Sequence, residues 1–154
     1  MIEAPRIVQV EQLLTAAIRL TVPRGQIQEV MGPAIAEVME LVATQGVGPA
    51  GPWLTHHLRM DPAIFDLEVC VPVTRPVAPA GRVVPSSLPA ARVVQAVYRG
   101  PYEGLGAAWG EFRAWVAAQG LTPGPSLWEV YQVNPANSVD PATWRTVLHQ
   151  PLVG

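Results

Sequence analysis

A single glutamate in an otherwise apolar and aromatic segment is the residue best placed to do chemistry. Glu129 lies in the segment Leu127–Val133, where strand alternation puts Glu129 and Tyr131 on one face and Trp128 and Val130 on the other. A carboxylate is costly to desolvate among aromatic rings, so it should gain an interaction there that offsets this cost. If Trp128 and Val130 pack beneath a helix, Glu129 and Tyr131 face the open side of the sheet. A half-exposed carboxylate in water explains the pattern equally well.

Five further residues could contribute to a site, and each also has a plainer structural explanation. His56 and His57 are adjacent on a strand and point to opposite faces, so they cannot share a metal ion. One of them could transfer a proton, although a structural role is favoured. Glu68 alternates with apolar residues and is expected mainly on a solvated face, from which it could reach a groove. Tyr102 begins a helix and Trp144 begins a strand, so both could border a groove or simply pack.

The composition narrows the chemistry further. Of 154 residues, 49% are hydrophobic and 14% charged, which fits a compact domain with a sizeable core. The chain has no lysine, a net charge of −2 and dispersed arginines, a pattern that argues against direct nucleic-acid binding. Cys70 is the only cysteine, which excludes an internal disulfide and a site of several thiolates. Phosphate-binding glycine loops, nucleophile elbows and metal-ligand spacings are also missing, so we expect no cofactor and no metal.

The hydropathy pattern bears on the compartment. The first residues lack a basic segment followed by an apolar one, and no apolar run reaches the roughly 18 residues of a membrane-spanning helix. We therefore expect a cytoplasmic protein that does not engage a membrane.

The elements that must position these residues occur twice along the chain. Four landmarks recur in the same order about 75 residues apart. They are Arg24-Gly25 and Arg99-Gly100, Gln45-Gly46 and Gln119-Gly120, Trp53 and Trp128, and Asp61-Pro62 and Asp140-Pro141. Any one match is at chance level, but the ordered set predicts a two-fold pseudo-repeat, with halves of about 1–78 and 79–154 within one domain. A stretch rich in proline, alanine and glycine, 74–81, is expected to link the halves.

Within each half, hydrophobic periodicity predicts two strands, a helix and two more strands. The predicted strands are 6–10, 13–22, 53–60, 65–73, 82–85, 91–99, 127–133 and 144–150, and the predicted helices are 26–45 and 102–119. Gly32-Pro33 is expected to interrupt the first helix. Trp109, on the apolar face of the second helix, is expected to pack in the core. This pattern predicts an α+β fold: two strand–strand–helix–strand–strand units joined in one curved, mostly antiparallel sheet, with two helices on one face and a groove on the other.

Several segments together resemble a known family. They are residues 99–105 (RGPYEGL), 128–131 (WEVY), 140–146 (DPATWRT), 65–73 (FDLEVCVPV) and 88–92 (LPAAR). By these motifs the chain resembles the GyrI-like small-molecule-binding domains, also called AraC-type effector-binding domains. The resemblance covers essentially the whole chain and implies an α+β fold of duplicated strand–helix–strand–strand modules that form one curved, mostly antiparallel sheet, in agreement with the repeat.

The resemblance also implies a function and site residues. A glutamate in the position of Glu129 typically forms the floor of a pocket that takes flat, lipophilic and often cationic compounds between aromatic side chains. Tyr131 and Tyr102 match positions that usually border this pocket, and many relatives carry tyrosine at the position of His56. Together with Glu68 and Trp144, these residues form the expected ligand-binding set. Because no DNA-binding part precedes Arg6, the chain is expected to be a stand-alone member that captures a lipophilic, cationic compound.

Two other functions remain open on the same resemblance. Some stand-alone relatives look like hydrolases that open strained electrophilic rings such as cyclopropanes, in which case Glu129 would be the base, assisted by Tyr131 or His56. A protein-interaction role, as in the gyrase inhibitor that gives the family its name, is the third reading. Edge strands of the sheet could also pair two copies into a homodimer.

Overall fold

The computed structural model describes residues 2–153 and, at Met60, the backbone alone, so the two end residues of the predicted 1–154 domain lie outside the described range. The described residues form eight strands and two helices. In chain order these are β1 (Ile2–Val10), β2 (Leu13–Pro23), α1 (Ile27–Thr44), β3 (Leu54–Met60), β4 (Ile64–Pro72), β5 (Val84–Leu88), β6 (Ala91–Arg99), α2 (Leu105–Ala118), β7 (Leu127–Val133) and β8 (Arg145–Pro151). Short 3-10 turns precede α1, α2 and β8, at Arg24–Gln26, Tyr102–Gly104 and Pro141–Thr143.

The predicted α+β class and the duplicated order of elements are confirmed. β6 and β7 have the predicted bounds, and most other elements differ from prediction by a few residues. All the strand pairs described are antiparallel. The chain divides into two compact units: the first unit comprises residues 11–90, and the second unit comprises residues 1–10 and 91–154.

The first unit is a four-stranded sheet with one helix. Its strands follow the order β3-β4-β2-β5, and α1 covers one face. Alternate residues of β2 and β4 point to α1, which meets them with an apolar stripe at helical spacing. The buried residues of this core include Ala34, Val38 and Val42 of α1 and Ala16, Ile18, Leu67, Val69 and Val71 of the sheet.

The second unit repeats the plan with strands in the order β1-β6-β8-β7 and with α2 on one face. Its core joins Ala108, Trp109, Phe112 and Val116 of α2 to Val94, Ala96, Leu127 and Leu148 of the sheet. Trp109 therefore packs in the core as predicted. Neither helix of the described chain is long and apolar enough to cross a membrane.

The compact units do not coincide with the linear halves expected from the repeat. β1 pairs with β6, and β5 pairs with β2, so each half contributes one strand to the other unit. The boundaries of the compact units therefore differ from the boundary between the repeats, because strand pairing joins segments that are distant in the chain.

The segment 74–81 lies between β4 and β5 and is held by hydrogen bonds and a buried side chain. The backbone N–H of Thr74 donates to the carbonyl of Val47 at 2.8 Å, and the side chain of Gln45 exchanges two 2.9 Å hydrogen bonds with the backbone of Ala78. Val77 is buried in the core of the first unit. These contacts fasten the segment beside the C-terminal end of α1.

The two helices end alike. Gly46 and Gly120 follow them with φ of +69° and +71°, a left-handed conformation that glycine adopts without a Cβ penalty. Pro33 lies inside α1, which continues past it without a break. The prediction of a break at Gly32-Pro33 is therefore wrong. Proline lacks the N–H for one helical hydrogen bond, and burial of the apolar stripe of α1 offsets that loss.

Candidate functional site

Glu129 and Tyr131 lie on the face of β7 that meets α2. Leu127, two residues earlier on the same face, packs in the α2 core, and the indole N–H of Trp109 in α2 reaches Glu129. The opposite face carries Trp128, which stacks on the His149 ring with centroids 5.5 Å apart. The interpretation that Trp128 packs beneath the helices, leaving Glu129 on the open face, is therefore wrong.

The carboxylate of Glu129 is buried and held by two neutral donors. The residue is 6% exposed. Trp109 donates from Nε1 to Oε2 at 2.8 Å, and Tyr131 donates from its hydroxyl to Oε1 at 2.9 Å. Hydrogen bonds to an ionised acceptor are roughly twice as strong as neutral ones, so both donors stabilise the charged form of the carboxylate, whereas its burial disfavours that form. Sequence reasoning placed Trp109 in the core but did not foresee that its N–H would serve Glu129.

Two more aromatic side chains continue outward from this pair. The Tyr102 ring meets the Tyr131 ring edge-on, with centroids 5.6 Å apart, and stacks on Trp144 at 4.9 Å. The Trp144 indole N–H donates to the carbonyl of Ser138 at 3.1 Å, which fixes the ring on the loop before β8. Tyr102 and Trp144 are both only partly buried. The structure thus brings together four of the predicted site residues in the second unit: Glu129, Tyr131, Tyr102 and Trp144.

The Tyr102 hydroxyl stays protonated at neutral pH. Burial, reinforced by the negative charge of Glu129, raises the pKa of Tyr102 to about 12. The effect of the Glu129 charge on the pKa of Tyr102 means that these two side chains are close enough to interact electrostatically. Tyr102 therefore presents a neutral hydroxyl, able to donate and to accept, beside a buried anion.

The turn that carries Tyr102 is fixed by a buried tyrosine of β6. The Tyr98 hydroxyl donates to the carbonyl of Pro101 at 2.7 Å, and Gly100 adopts a φ of +130° that disfavours other residues. Gly104 lies directly over the same hydroxyl: an added Cβ would come within 2.1 Å of Tyr98 Oη. The segment 99–104 (RGPYEG) thus forms a closely packed turn that fixes the position of the Tyr102 ring.

We expect Gly104→Ala to destabilise the protein by about 1–2 kcal/mol, because the new methyl group overlaps a hydroxyl that its own hydrogen bond holds in place. Urea unfolding measures the loss. Adding Tyr98→Phe should recover part of it, since the overlapping oxygen is then gone, even though Tyr98→Phe alone removes a hydrogen bond. Strictly additive effects of the two substitutions would contradict the contact.

The other two predicted site residues, His56 and Glu68, belong to the first unit. They are direct partners on β3 and β4, with Nδ1 of His56 3.9 Å from Oε1 of Glu68. Ser86 donates to the same carboxylate oxygen at 3.0 Å. The interaction with His56, followed by the hydrogen bond from Ser86, holds the pKa of Glu68 below its ordinary value against the opposing effect of burial.

Cys70 completes the neighbourhood of this pair. Its Sγ lies 4.0 Å from Oε1 of Glu68. Burial raises the pKa of the Cys70 thiol, so it is not an activated nucleophile. Across residues 2–153, no three side chains of histidine, cysteine, aspartate or glutamate gather closely enough to hold a metal ion.

The second unit thus holds a buried carboxylate beside aromatic rings, on a duplicated α+β fold. The chain belongs to the GyrI-like family, since the model of the GyrI-like small molecule binding domain matches residues 3–152. No curated protein sequence matches the chain.

Solved structures share the fold at low sequence identity. The EcmrR–DNA complex in EcmrR-RPo has a TM-score of 0.85 and 23% identity over 97% of this chain. This chain spans only 57% of that EcmrR chain. Against the EcmrR C-terminal domain alone, the TM-score is 0.81 and the identity is 19%, over 97% of this chain and 97% of that one.

Two further structures carry informative descriptions. SAV2435 bound to tetraphenylphosphonium has a TM-score of 0.66 and 11% identity, over 99% of this chain and 95% of that one. A hydrolase from Listeria innocua has a TM-score of 0.63 and 15% identity, over 97% of this chain and 91% of that one. At these identities the likeness shows the fold.

Proposed function

We propose that the chain captures lipophilic cations, with Glu129 as the charge partner and the rings of Tyr102, Tyr131 and Trp144 as the contact surface. The observation that carries the proposal is the buried Glu129 carboxylate, which two neutral donors hold in place. A charge in a region of low dielectric attracts an opposite charge far more strongly than one in water.

The aromatic rings add a second attraction for the same ligand class. A cation over the face of tyrosine or tryptophan gains about 0.5–2 kcal/mol, depending on how far it is desolvated. Flat hydrocarbon groups of the ligand would also bury apolar surface on these rings. An anion or a strongly hydrated cation would gain neither benefit.

A structural neighbour supports the choice of ligand. SAV2435, which shares the fold, is described as bound to tetraphenylphosphonium, a lipophilic monocation. That description concerns SAV2435; for this chain it suggests which probe to use first.

The test compares two probes of the same shape and opposite charge by isothermal titration calorimetry. Tetraphenylphosphonium and tetraphenylborate both carry four phenyl groups on a central atom. We expect saturable binding of the phosphonium and at least about 30-fold weaker binding of the borate, or about 2 kcal/mol of discrimination by charge. Equal affinities would show that hydrophobic contact alone drives binding and would overturn the role of a carboxylate. Binding of neither ion would overturn the proposed ligand class.

Hydrolysis is a second candidate, favoured by the fold shared with the Listeria innocua protein described as a hydrolase. In this reading Glu129 takes a proton from a water molecule while the water oxygen bonds to a carbon of a strained electrophilic ring. The ring bond to that carbon breaks, its electron pair passes to the leaving side of the ring, and that side takes a proton from solvent. The Tyr131 hydroxyl, 2.9 Å from the carboxylate, positions it. Incubation with a cyclopropane-bearing alkylating compound, followed by mass spectrometry, separates the two functions. More than one hydrolysed molecule per protein would establish turnover, whereas intact compound would leave capture alone.

A further inference from the structure

Two buried hydroxyl groups near Glu129 lack hydrogen-bond partners. Within residues 2–153, neither the Tyr102 hydroxyl nor the Thr146 Oγ1 has a partner, although both atoms are shielded from solvent. Thr146 as a whole is 0% exposed. A buried polar group without a partner costs about 1–3 kcal/mol, so each one needs an explanation.

Both hydroxyls flank Tyr131, whose own hydroxyl is bonded to Glu129. Thr146 on β8 is the direct antiparallel partner of Tyr131 on β7, and side chains of paired residues lie on the same face of a sheet. The Tyr102 ring meets the Tyr131 ring edge-on, at 5.6 Å between centroids. Two unpartnered hydroxyls therefore belong to residues that adjoin Tyr131, the residue that donates to the carboxylate.

The charge of Glu129 decides which ligand group these hydroxyls suit. Because the pKa of Tyr102 is raised to about 12, its hydroxyl is neutral and keeps its acceptor lone pairs at neutral pH. Next to an anion, a positively charged donor is favoured over an acceptor, whose own partial negative charge would be repelled. A protonated nitrogen meets both demands: its charge faces Glu129 and its N–H can be accepted by a hydroxyl oxygen.

We propose that this site prefers cations that carry an N–H donor, namely protonated amines, to quaternary cations of the same shape, with the Tyr102 hydroxyl as the acceptor. The inference rests on the proposed function and narrows its ligand class. Tetraphenylphosphonium would then be bound through charge and rings alone, without using the hydroxyl.

The test uses two fluorescent cations that differ by one methyl group on nitrogen. Dimethyl(pyren-1-ylmethyl)ammonium carries one N–H at neutral pH, and trimethyl(pyren-1-ylmethyl)ammonium carries none. Fluorescence anisotropy gives both affinities for the wild type and for Tyr102→Phe, which keeps the ring and removes only the hydroxyl. Hydration differences between the probes cancel when their affinity ratio is compared between the two proteins.

We expect Tyr102→Phe to weaken binding of the tertiary amine by about 10-fold and to leave the quaternary probe within about two-fold, because only the tertiary amine loses a charge-assisted hydrogen bond. A merely structural role of Tyr102 would weaken both probes together. Tyr102→Phe should also unfold no sooner than the wild type, because it removes a buried unpartnered group. Thr44→Val, which removes an exposed hydroxyl at the end of α1, is the control and should leave the ratio unchanged.

The outcomes separate this inference from the function beneath it. If both probes bind and Tyr102→Phe leaves their ratio unchanged, the preference for N–H donors through Tyr102 is overturned while cation capture stands. A ratio that collapses in Thr146→Val instead would overturn Tyr102 as the acceptor. Failure of both probes to bind the wild type would overturn the proposed function itself.

Discussion

Glu129→Gln is expected to weaken binding of a lipophilic monocation by about 30- to 1000-fold, or about 2–4 kcal/mol, the largest effect of any single substitution on ligand affinity. The change removes one negative charge from a position that is 6% exposed, where water screens the attraction poorly. Calorimetric titration with tetraphenylphosphonium measures the loss. The effect should vanish for a neutral ligand without a strong hydrogen-bond acceptor, such as triphenylmethane, because that ligand gains nothing from the charge.

Glutamine can replace Glu129 without disturbing the two hydrogen bonds described. Its amide oxygen can accept from Trp109, and its NH₂ group can donate to the Tyr131 hydroxyl, which rotates from donor to acceptor. Glu37→Gln, at an exposed ion pair with Arg82 on the first unit, is the matched control and should not change affinity. A Glu129→Gln variant that is folded and binds the phosphonium as tightly as the wild type would disprove the anchor role.

Sequence alternation predicts which residues of β7 share a face but not which face meets the helix. Leu127, Trp128 and Val130 place apolar groups on both faces, so period-two reasoning distinguishes the faces from each other without orienting them. The structure resolves this through α2, whose core includes Leu127 and therefore the Glu129 side as well. Orientation is a property of tertiary packing, which a single strand does not encode.

The role of Trp109 was open to prediction from chemistry, though not from periodicity. Its place in the apolar stripe of α2 correctly predicts a core residue. A buried indole N–H nonetheless needs an acceptor, and Glu129 is a carboxylate in a neighbouring apolar segment. A buried indole N–H that needs an acceptor and a buried carboxylate that needs a donor together predict the hydrogen bond between Trp109 and Glu129 from the sequence.

The pairing of strands from different halves of the chain could not be predicted, for a different reason. The repeat correctly predicts the order of elements, and the matching helix ends at Gly46 and Gly120 follow from local chemistry. The pairing of β1 with β6 and of β5 with β2 joins segments whose separation in the chain carries no local signal. Without covariation between paired positions, one sequence cannot distinguish a strand of its own half from one contributed to the other unit.

The free energy of unfolding is expected to fall by about 2 kcal/mol between pH 7 and pH 5 through His149 alone. This side chain is buried, stacks on Trp128, and holds the Nδ1–H tautomer, donating to the carbonyl of Val147 at 3.2 Å and accepting from Gln95 at 3.0 Å. Burial lowers the pKa of His149 to about 4, whereas the same residue in an unfolded chain titrates near 6.5. Between these values the unfolded chain binds the extra proton, so stability is lost as pH falls and levels off below about 4.

The substitution His149→Phe isolates this contribution, because it keeps an aromatic ring against Trp128 and removes the titrating group. Its stability at neutral pH should drop, since the Val147 carbonyl loses a donor, yet its decline between pH 7 and pH 5 should be about 2 kcal/mol smaller than that of the wild type. Urea unfolding at half-unit steps gives both slopes. The carboxyl groups of Asp66 and Glu68, whose pKa values are lowered, add their own acid destabilisation mainly below about pH 4.5, outside this window. Parallel curves for the two proteins would mean that the folded chain protonates His149 as readily as the unfolded one, and that burial beside Trp128 does not keep the imidazole neutral.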